Sequence, residues 1–176
     1  MSSATKPVPP SSSSIRDTLF GDAPLHLWPP AGSKASGEPW TSFVKAQEAV
    51  DEGRDAEAVT LWKQIAGMQG LESRHTLQAW HFLRRAGVAP TPAQSKQLLG
   101  VVIEVPMEEG LDLLAAYPER TARYYNYSGA GVIWERPNSA LDGAVDALLT
   151  SATQILKVIG PWDKPRPPAP RAGNLR

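Results

Sequence analysis

From Trp40 to Leu98 the apolar residues recur at the three-to-four-residue spacing of a helix. From Leu99 to Trp134 they alternate, and from Leu141 to Ile159 the helical spacing returns. The first stretch divides into several helices. Trp40, Phe43, Val44, Gln47 and Val50 follow Ser36 and Pro39, which suit a helix start, and Gly53 closes the segment. Asp55 then opens a second helix with Ala58, Val59, Leu61, Trp62, Ile65 and Ala66 on its apolar side, ending near residues 67–70. The two predict a helical hairpin joined by EGRD. Its A-x-x-A-x-x-x-G-R-x-x-E-A pattern loosely resembles a tetratricopeptide unit, but the pattern does not recur along the chain as a solenoid requires.

A third helix is predicted from about Glu72 to Ala86, with Gly87 as its stop. His75, Leu77, Ala79, Trp80, Phe82, Leu83 and Ala86 cover a wide arc, which predicts burial on most sides. Arg74, Gln78, His81 and Arg85 are left as one narrow polar stripe. The Thr91-x-x-Gln94 capping box, with Pro92 at the first helical position, predicts a short fourth helix to about Leu98.

LGVVIEVP, LDLLAAY, ARYYNY and GVIWE read as four short strands, separated by Gly110, Pro118–Thr121 and Ser128–Gly131. An antiparallel meander is the economical pairing. Ser139-x-x-Asp142 then opens a long amphipathic helix, which Gly160 and Pro161 end. The expected fold is α+β: a helical hairpin and a further helix, a four-stranded meander, and a C-terminal helix packed on the sheet. It occupies residues 39–160 as a single domain.

Loop length sets which side chains share a face. A four-residue loop at Pro118–Thr121 pairs Tyr117 with Ala122, and an even loop at Ser128–Gly131 pairs Tyr127 with Val132. Asp112, Arg123, Tyr125, Tyr127 and Trp134 then lie on one face, with Leu113, Ala115, Tyr117, Tyr124 and Asn126 opposite. Such a face, aromatic with a charge of each sign at its ends, has the composition of a protein interface.

Proline marks the flanks: seven of the seventeen lie in residues 1–39 and five in residues 161–176. Residues 1–14 are expected to be disordered. Residues 15–30 carry Ile15, Leu19, Phe20, Leu25, Leu27 and Trp28, and are expected to dock on the domain. The tail from 161 has polyproline II composition, with Lys164-x-x-Pro167-x-x-Pro170 at ligand-like spacing and a mild basic excess.

Composition narrows the chemistry. Eighteen basic and eighteen acidic residues leave no net field, which argues against a dedicated nucleic-acid binder. The absence of cysteine excludes disulfides, thiolate metal sites and cysteine catalysis. The N-terminus has no apolar core of a signal peptide, and no run is long enough to span a membrane, so a soluble cytoplasmic protein is expected. High Ala, Pro, Gly and Arg suggest a GC-rich bacterial genome.

His75 and His81 stand about 120° apart on a helix, too far to share a metal, and H-E-x-x-H does not occur. Glu104, Glu108 and Asp112 are expected to be solvated. Phosphate-loop and nucleophile-elbow motifs are absent, and the Gly129-Ala130-Gly131 run leads into a strand instead of a helix. No catalytic residue, metal ligand or cofactor is assigned.

The leading expectation is therefore a non-enzymatic interaction protein. It would bind a protein partner through the sheet face (Asp112, Arg123, Tyr125, Tyr127, Trp134) or the helix stripe (Arg74, Gln78, His81, Arg85). Arginines one helical turn apart can grip carboxylate or phosphate, and His81 would strengthen such a contact below pH 7. The alternative is a small-molecule or catalytic pocket between sheet and helices, lined by Asp112, Arg123, Tyr125, Asn126 and Tyr127. An immunity- or defence-associated role fits the size and class but no particular residue. The blocks LESRHTLQAWHFLRRAGV and GLDLLAAYPERTARYYNYSGAGVIWE resemble small bacterial proteins of GC-rich genomes, in which helices precede a β-meander and a helix. The resemblance covers about residues 60–170, implies no activity or site residue, and suggests relatives that continue beyond RPPAP.

Overall fold

The computed structural model describes residues 12–30, 37–135, 138–162 and 164–171. Six α-helices and four strands follow in order among them. The helices are α1 (Ser12–Phe20), α2 (Trp40–Asp51), α3 (Asp55–Gly67), α4 (Ser73–Arg85), α5 (Pro92–Ser95) and α6 (Asp142–Val158). The strands β1 (Val101–Pro106), β2 (Leu111–Ala116), β3 (Ala122–Tyr125) and β4 (Gly131–Trp134) form an antiparallel meander in sequence order. The α+β class holds.

Helices α2, α3 and α4 make one layer. Ala46, Ala49 and Ala58 are wholly buried where α2 meets α3, since methyl side chains let two helices approach closely. Trp62, Ile65, Phe82 and Leu83 fill the space beside them. At α5 the capping box closes in both directions: Gln94 N donates to Thr91 Oγ1 (3.3 Å), and Thr91 N donates to Gln94 Oε1 (2.9 Å).

Helix α1 begins at Ser12, inside the stretch expected to be disordered, while residues 1–11 of that stretch lie outside the described residues. The docked segment belongs to the core: Leu19 and Trp28 are each 1% exposed. Trp28 enters the helical layer and Leu19 packs against Leu111, Leu113, Ala115 and Tyr117 of the sheet side. Gly21 allows the close crossing. Its φ is +63°, and a Cβ there would stand 2.5 Å from Leu77 Cβ of α4.

The meander is correct in order and shifted in register. Ala116 pairs with Ala122 and Leu113 with Tyr125; Tyr124 pairs with Val132 and Tyr125 with Gly131. Both hairpins after β2 use three-residue loops where even loops were expected. Tyr117 N donates to Thr121 O (3.1 Å) with Arg120 at φ +64°, and Asn126 N donates to Ala130 O (2.9 Å) with Gly129 at φ +85°. An odd loop pairs residues of like parity, so the faces exchange. Val102, Glu104, Leu111, Leu113, Ala115, Arg123 and Tyr125 face α1 and α4. Asp112, Leu114, Ala116, Ala122, Tyr124 and Trp134 face the other way, where Val145, Leu148 and Leu149 of α6 cover Ala116, Ala122 and Trp134.

Glu104, expected to be solvated, is 3% exposed. Arg16 meets it with both Nε and Nη2, the latter at 3.0 Å, and Nη2 also donates to Pro167 O (3.0 Å). One guanidinium thus ties α1 to the sheet and to the proline-rich segment.

Candidate functional site

Helix α4 is the axis around which the polar residues gather, but its stripe is not a solvent face. Gln78 is fully buried, its amide accepting from Ala23 N (3.0 Å) and donating to Ala23 O (2.9 Å). A primary amide mimics a peptide group, so Gln78 satisfies both backbone groups of the docked segment at once. The expected four-residue stripe is thereby split. Arg74 lies on the N-terminal side of Gln78, and His81 and Arg85 on the C-terminal side.

On the N-terminal side Arg74 donates to Glu72 from Nε (2.8 Å) and Nη2 (3.3 Å), and Arg123 of β3 donates to the same carboxylate from Nη2 (2.5 Å). Burial pushes the Glu72 carboxyl up, but the Arg74 hydrogen bond and the charges of Arg74 and Arg123 outweigh it and hold it down at about 2. Glu119, from the β2–β3 turn, caps α4 by accepting from Ser73 N (3.0 Å) and Ser73 Oγ (2.7 Å). Tyr117 is buried and donates to Leu19 O (2.9 Å), satisfying a carbonyl at the end of α1.

His75 sits between Trp40 and Trp28, with ring centroids 4.7 and 6.2 Å away. Neither ring nitrogen has a hydrogen-bond partner among the described residues. Burial first, then the Arg74 charge, lowers its pKa to about 4. The folded state therefore holds it neutral while the unfolded chain protonates near 6.5, so stability falls as pH drops from about 6.5 to about 4. Glu72 adds a lower window, from 4.5 down to about 2, where protonation removes its two ion pairs. His75→Phe keeps an aromatic ring without the two unsatisfied nitrogens. It is expected to remove the His75 share of the upper window, at most about 1.4 kcal/mol per pH unit, while the share of His81, whose pKa burial also lowers, and the lower window stay intact. Urea denaturation across pH 3–8 checks this; an unchanged upper window would contradict it.

The sheet set does not form one face. Arg123 and Tyr125 point toward α1 and α4, Trp134 packs under α6, and Tyr127 sits in the β3–β4 loop. Asp112 accepts from Tyr124 Oη (2.6 Å) and Tyr127 N (2.9 Å), so it fastens the hairpin and raises the Tyr124 pKa. Asn126 does the same inside the loop, accepting from Ser128 N (3.1 Å) and Ala130 N (3.0 Å). The Tyr125 ring lies over Gly131 on the edge strand β4, where a Cβ would stand 2.4 Å from it. Arg74, Arg123 and Tyr125, flagged in sequence as parts of two separate surfaces, line one cavity of about 250 Å³ beneath α1.

No protein-family model, curated protein or solved structure matches the chain.

On the C-terminal side of Gln78, His81 and Arg85 open with Arg84 onto a groove of about 1000 Å³. Its opposite bank is formed by Trp162 and the proline-rich residues 164–168. Arg166 holds that bank in place, pairing with Asp17 and donating to Asp22 (2.7 Å) from Nε. Phe20 has two guanidinium groups over its ring, Arg166 at 4.5 Å and Arg16 at 5.4 Å from the centroid. Burial, then the charges of Arg85, Arg84 and Arg166, lowers the His81 pKa. Burial raises that of Asp22 despite Arg166.

Glu72, Arg84, Lys164 and Arg166 were not singled out in sequence as binding residues, although Lys164 and Arg166 were counted in the tail's basic excess. Arg84 had a readable signal, since it adjoins Arg85 in the last turn of α4. Among the described residues no His, Asp and Glu side chains gather in a set able to hold a metal ion, and no helix is long and apolar enough to cross a membrane.

Proposed function

We propose that this is a non-enzymatic, cytoplasmic interaction protein that takes an acidic, extended segment of a protein partner in the groove between α4 and the proline-rich strap. One observation carries the reading. Arg84, Arg85 and Lys164 converge on the groove with no carboxylate partner among the described residues, whereas Arg16 and Arg166 are neutralised by Glu104, Asp17 and Asp22. Trp162 and Phe20 add aromatic surface, with Lys164 Nζ 5.9 Å from the Trp162 ring centroid. Cations interleaved with rings and prolines suit a peptide carrying carboxylates and apolar side chains in alternation.

Fluorescence anisotropy with a fluorescein-labelled decapeptide of Glu, Asp and Leu tests this. Binding is expected to weaken with salt, because the groove is open and its charges are screened within a Debye length of about 10 Å at 0.1 M. Arg84→Glu with Arg85→Glu is expected to weaken it about tenfold or more. Acidification strengthens it only below the ordinary histidine range, since the His81 pKa is lowered. Equal affinity for a decapeptide with Lys in place of Glu and Asp, or no loss on charge reversal, would overturn the reading.

A further inference from the structure

The cavity of about 250 Å³ beneath α1 is separate from the groove. One wall is apolar, built by Ile15, Leu19, Leu27 and Pro30 of the docked segment; the other end carries Arg74, Arg123 and Tyr125. We propose that it binds a small monocarboxylic acid with an apolar body, the carboxylate facing the Arg74–Arg123 end and the body lying against the docked segment.

Charge and hydrogen bonding carry the assignment together. Two guanidinium groups share one Glu72 carboxylate, which leaves one positive charge uncompensated, and the neighbouring His75 is neutral near pH 7. Arg123 is only 11% exposed in its side chain, and its Nε is buried with no hydrogen-bond partner among the described residues. Because that Nε is closed off from the cavity, an incoming carboxylate would meet the rest of the Arg123 guanidinium, in a charge-assisted contact with it and with Arg74. The Tyr125 hydroxyl interacts with Arg123 and lines the same end. Asp17 also lines the cavity and shares Arg166 with Asp22, so its charge is only partly answered, and the acid's carboxylate is accordingly placed at the Arg74–Arg123 end. Size sets the body: a dry cavity of about 150 Å³ accepts benzene, so 250 Å³ takes a phenyl ring with a short acid chain. Leu27, 53% exposed, stands at the mouth and marks the route in.

The probe is 3-phenylpropanoate, followed by isothermal titration calorimetry or ligand-observed NMR on the full chain. It is expected to bind at one site, with 3-phenylpropanamide about tenfold weaker, because the amide brings no charge to the guanidinium groups. Arg123→Gln is expected to reduce acid binding to the level of the amide. Should that variant fail to fold, Leu27→Trp keeps the test: it fills the mouth without touching Arg74, Arg123 or Glu72, and should abolish binding of both probes. Arg84→Glu with Arg85→Glu, which weakens peptide binding in the groove, should leave phenylpropanoate affinity unchanged, so failure of one site is told from failure of the other. A tripeptide ending in phenylalanine distinguishes a chain terminus from a free acid as the source of the carboxylate. No binding of phenylpropanoate, equal binding of acid and amide, or full retention in Leu27→Trp would each overturn the assignment.

Discussion

Trp28→Ala is expected to destabilise the protein by about 3–5 kcal/mol and to loosen the docked segment that roofs the cavity. Trp28 is 1% exposed and makes ring contacts with Trp40 (5.4 Å), Phe43 (5.5 Å, edge-on) and His75 (6.2 Å). It is the one ring that the segment pushes into the α2–α3–α4 layer, with Ala23 and Leu25 packed beside it. Truncation opens a cavity among rigid aromatic neighbours that cannot close over it. The indole Nε1 has no hydrogen-bond partner among the described residues, so its polar atom contributes nothing that Trp28→Phe would lose. Phenylalanine should therefore recover most of the loss. Leu27→Ala, at a half-exposed neighbour, should stay within about 0.5 kcal/mol. Urea denaturation measures the three, and tryptic cleavage after Arg16 reports release of the segment. A loss for Trp28→Ala no larger than that for Leu27→Ala would mean the segment is held by its polar contacts alone.

Those polar contacts mark the boundary of what the sequence could disclose. Helices α2, α3, α4 and α6 and the four strands were legible because each carries its own period, and α5 because the two partners of its capping box are three residues apart, although it ends at Ser95 and not near Leu98. Register was not legible. It depended on two odd-numbered loops, one turning on Arg120 at positive φ, a conformation that composition does not announce outside glycine. A one-residue difference there sent Tyr125 and Trp134 to opposite faces.

The site was half legible for a related reason. Arg74, Arg123 and Tyr125 were identifiable as residues with chemistry, but they belong together only because the sheet turns its Arg123 face toward α4. Gln78 looked like one more polar position on a stripe; its partner is the backbone of Ala23, and backbone leaves no trace in composition. Arg16 and Glu104 are 88 residues apart, and Arg166 and Asp17 are 149 apart, so nothing local linked them. The same contacts bring both flanks, 15–30 and 164–171, into the domain that periodicity alone confines to residues 39–160.

Breaking the Arg16–Glu104 pair one side at a time and then on both sides should give strongly non-additive losses. Arg16→Met leaves a carboxylate whose side chain is 4% exposed facing an apolar wall, and is expected to cost about 3–5 kcal/mol. Glu104→Met leaves the guanidinium its bond to Pro167 O and the Phe20 ring, so its cost should be smaller. The double variant removes both desolvated charges together and should fall within about 1–2 kcal/mol of the natural protein, because two methionines fill the space without needing water or a counter-ion. Denaturant titration of the four proteins gives the coupling energy directly. Additive losses would mean that each charge is stabilised mainly by something other than the other. Strong coupling would also bear on the groove, since Arg16 lines it. A stable double variant that still binds the acidic decapeptide would confine Arg16 to fastening α1. One that folds but binds weakly would make the same guanidinium part of the groove's recognition surface, its charge answered by Glu104 only in part.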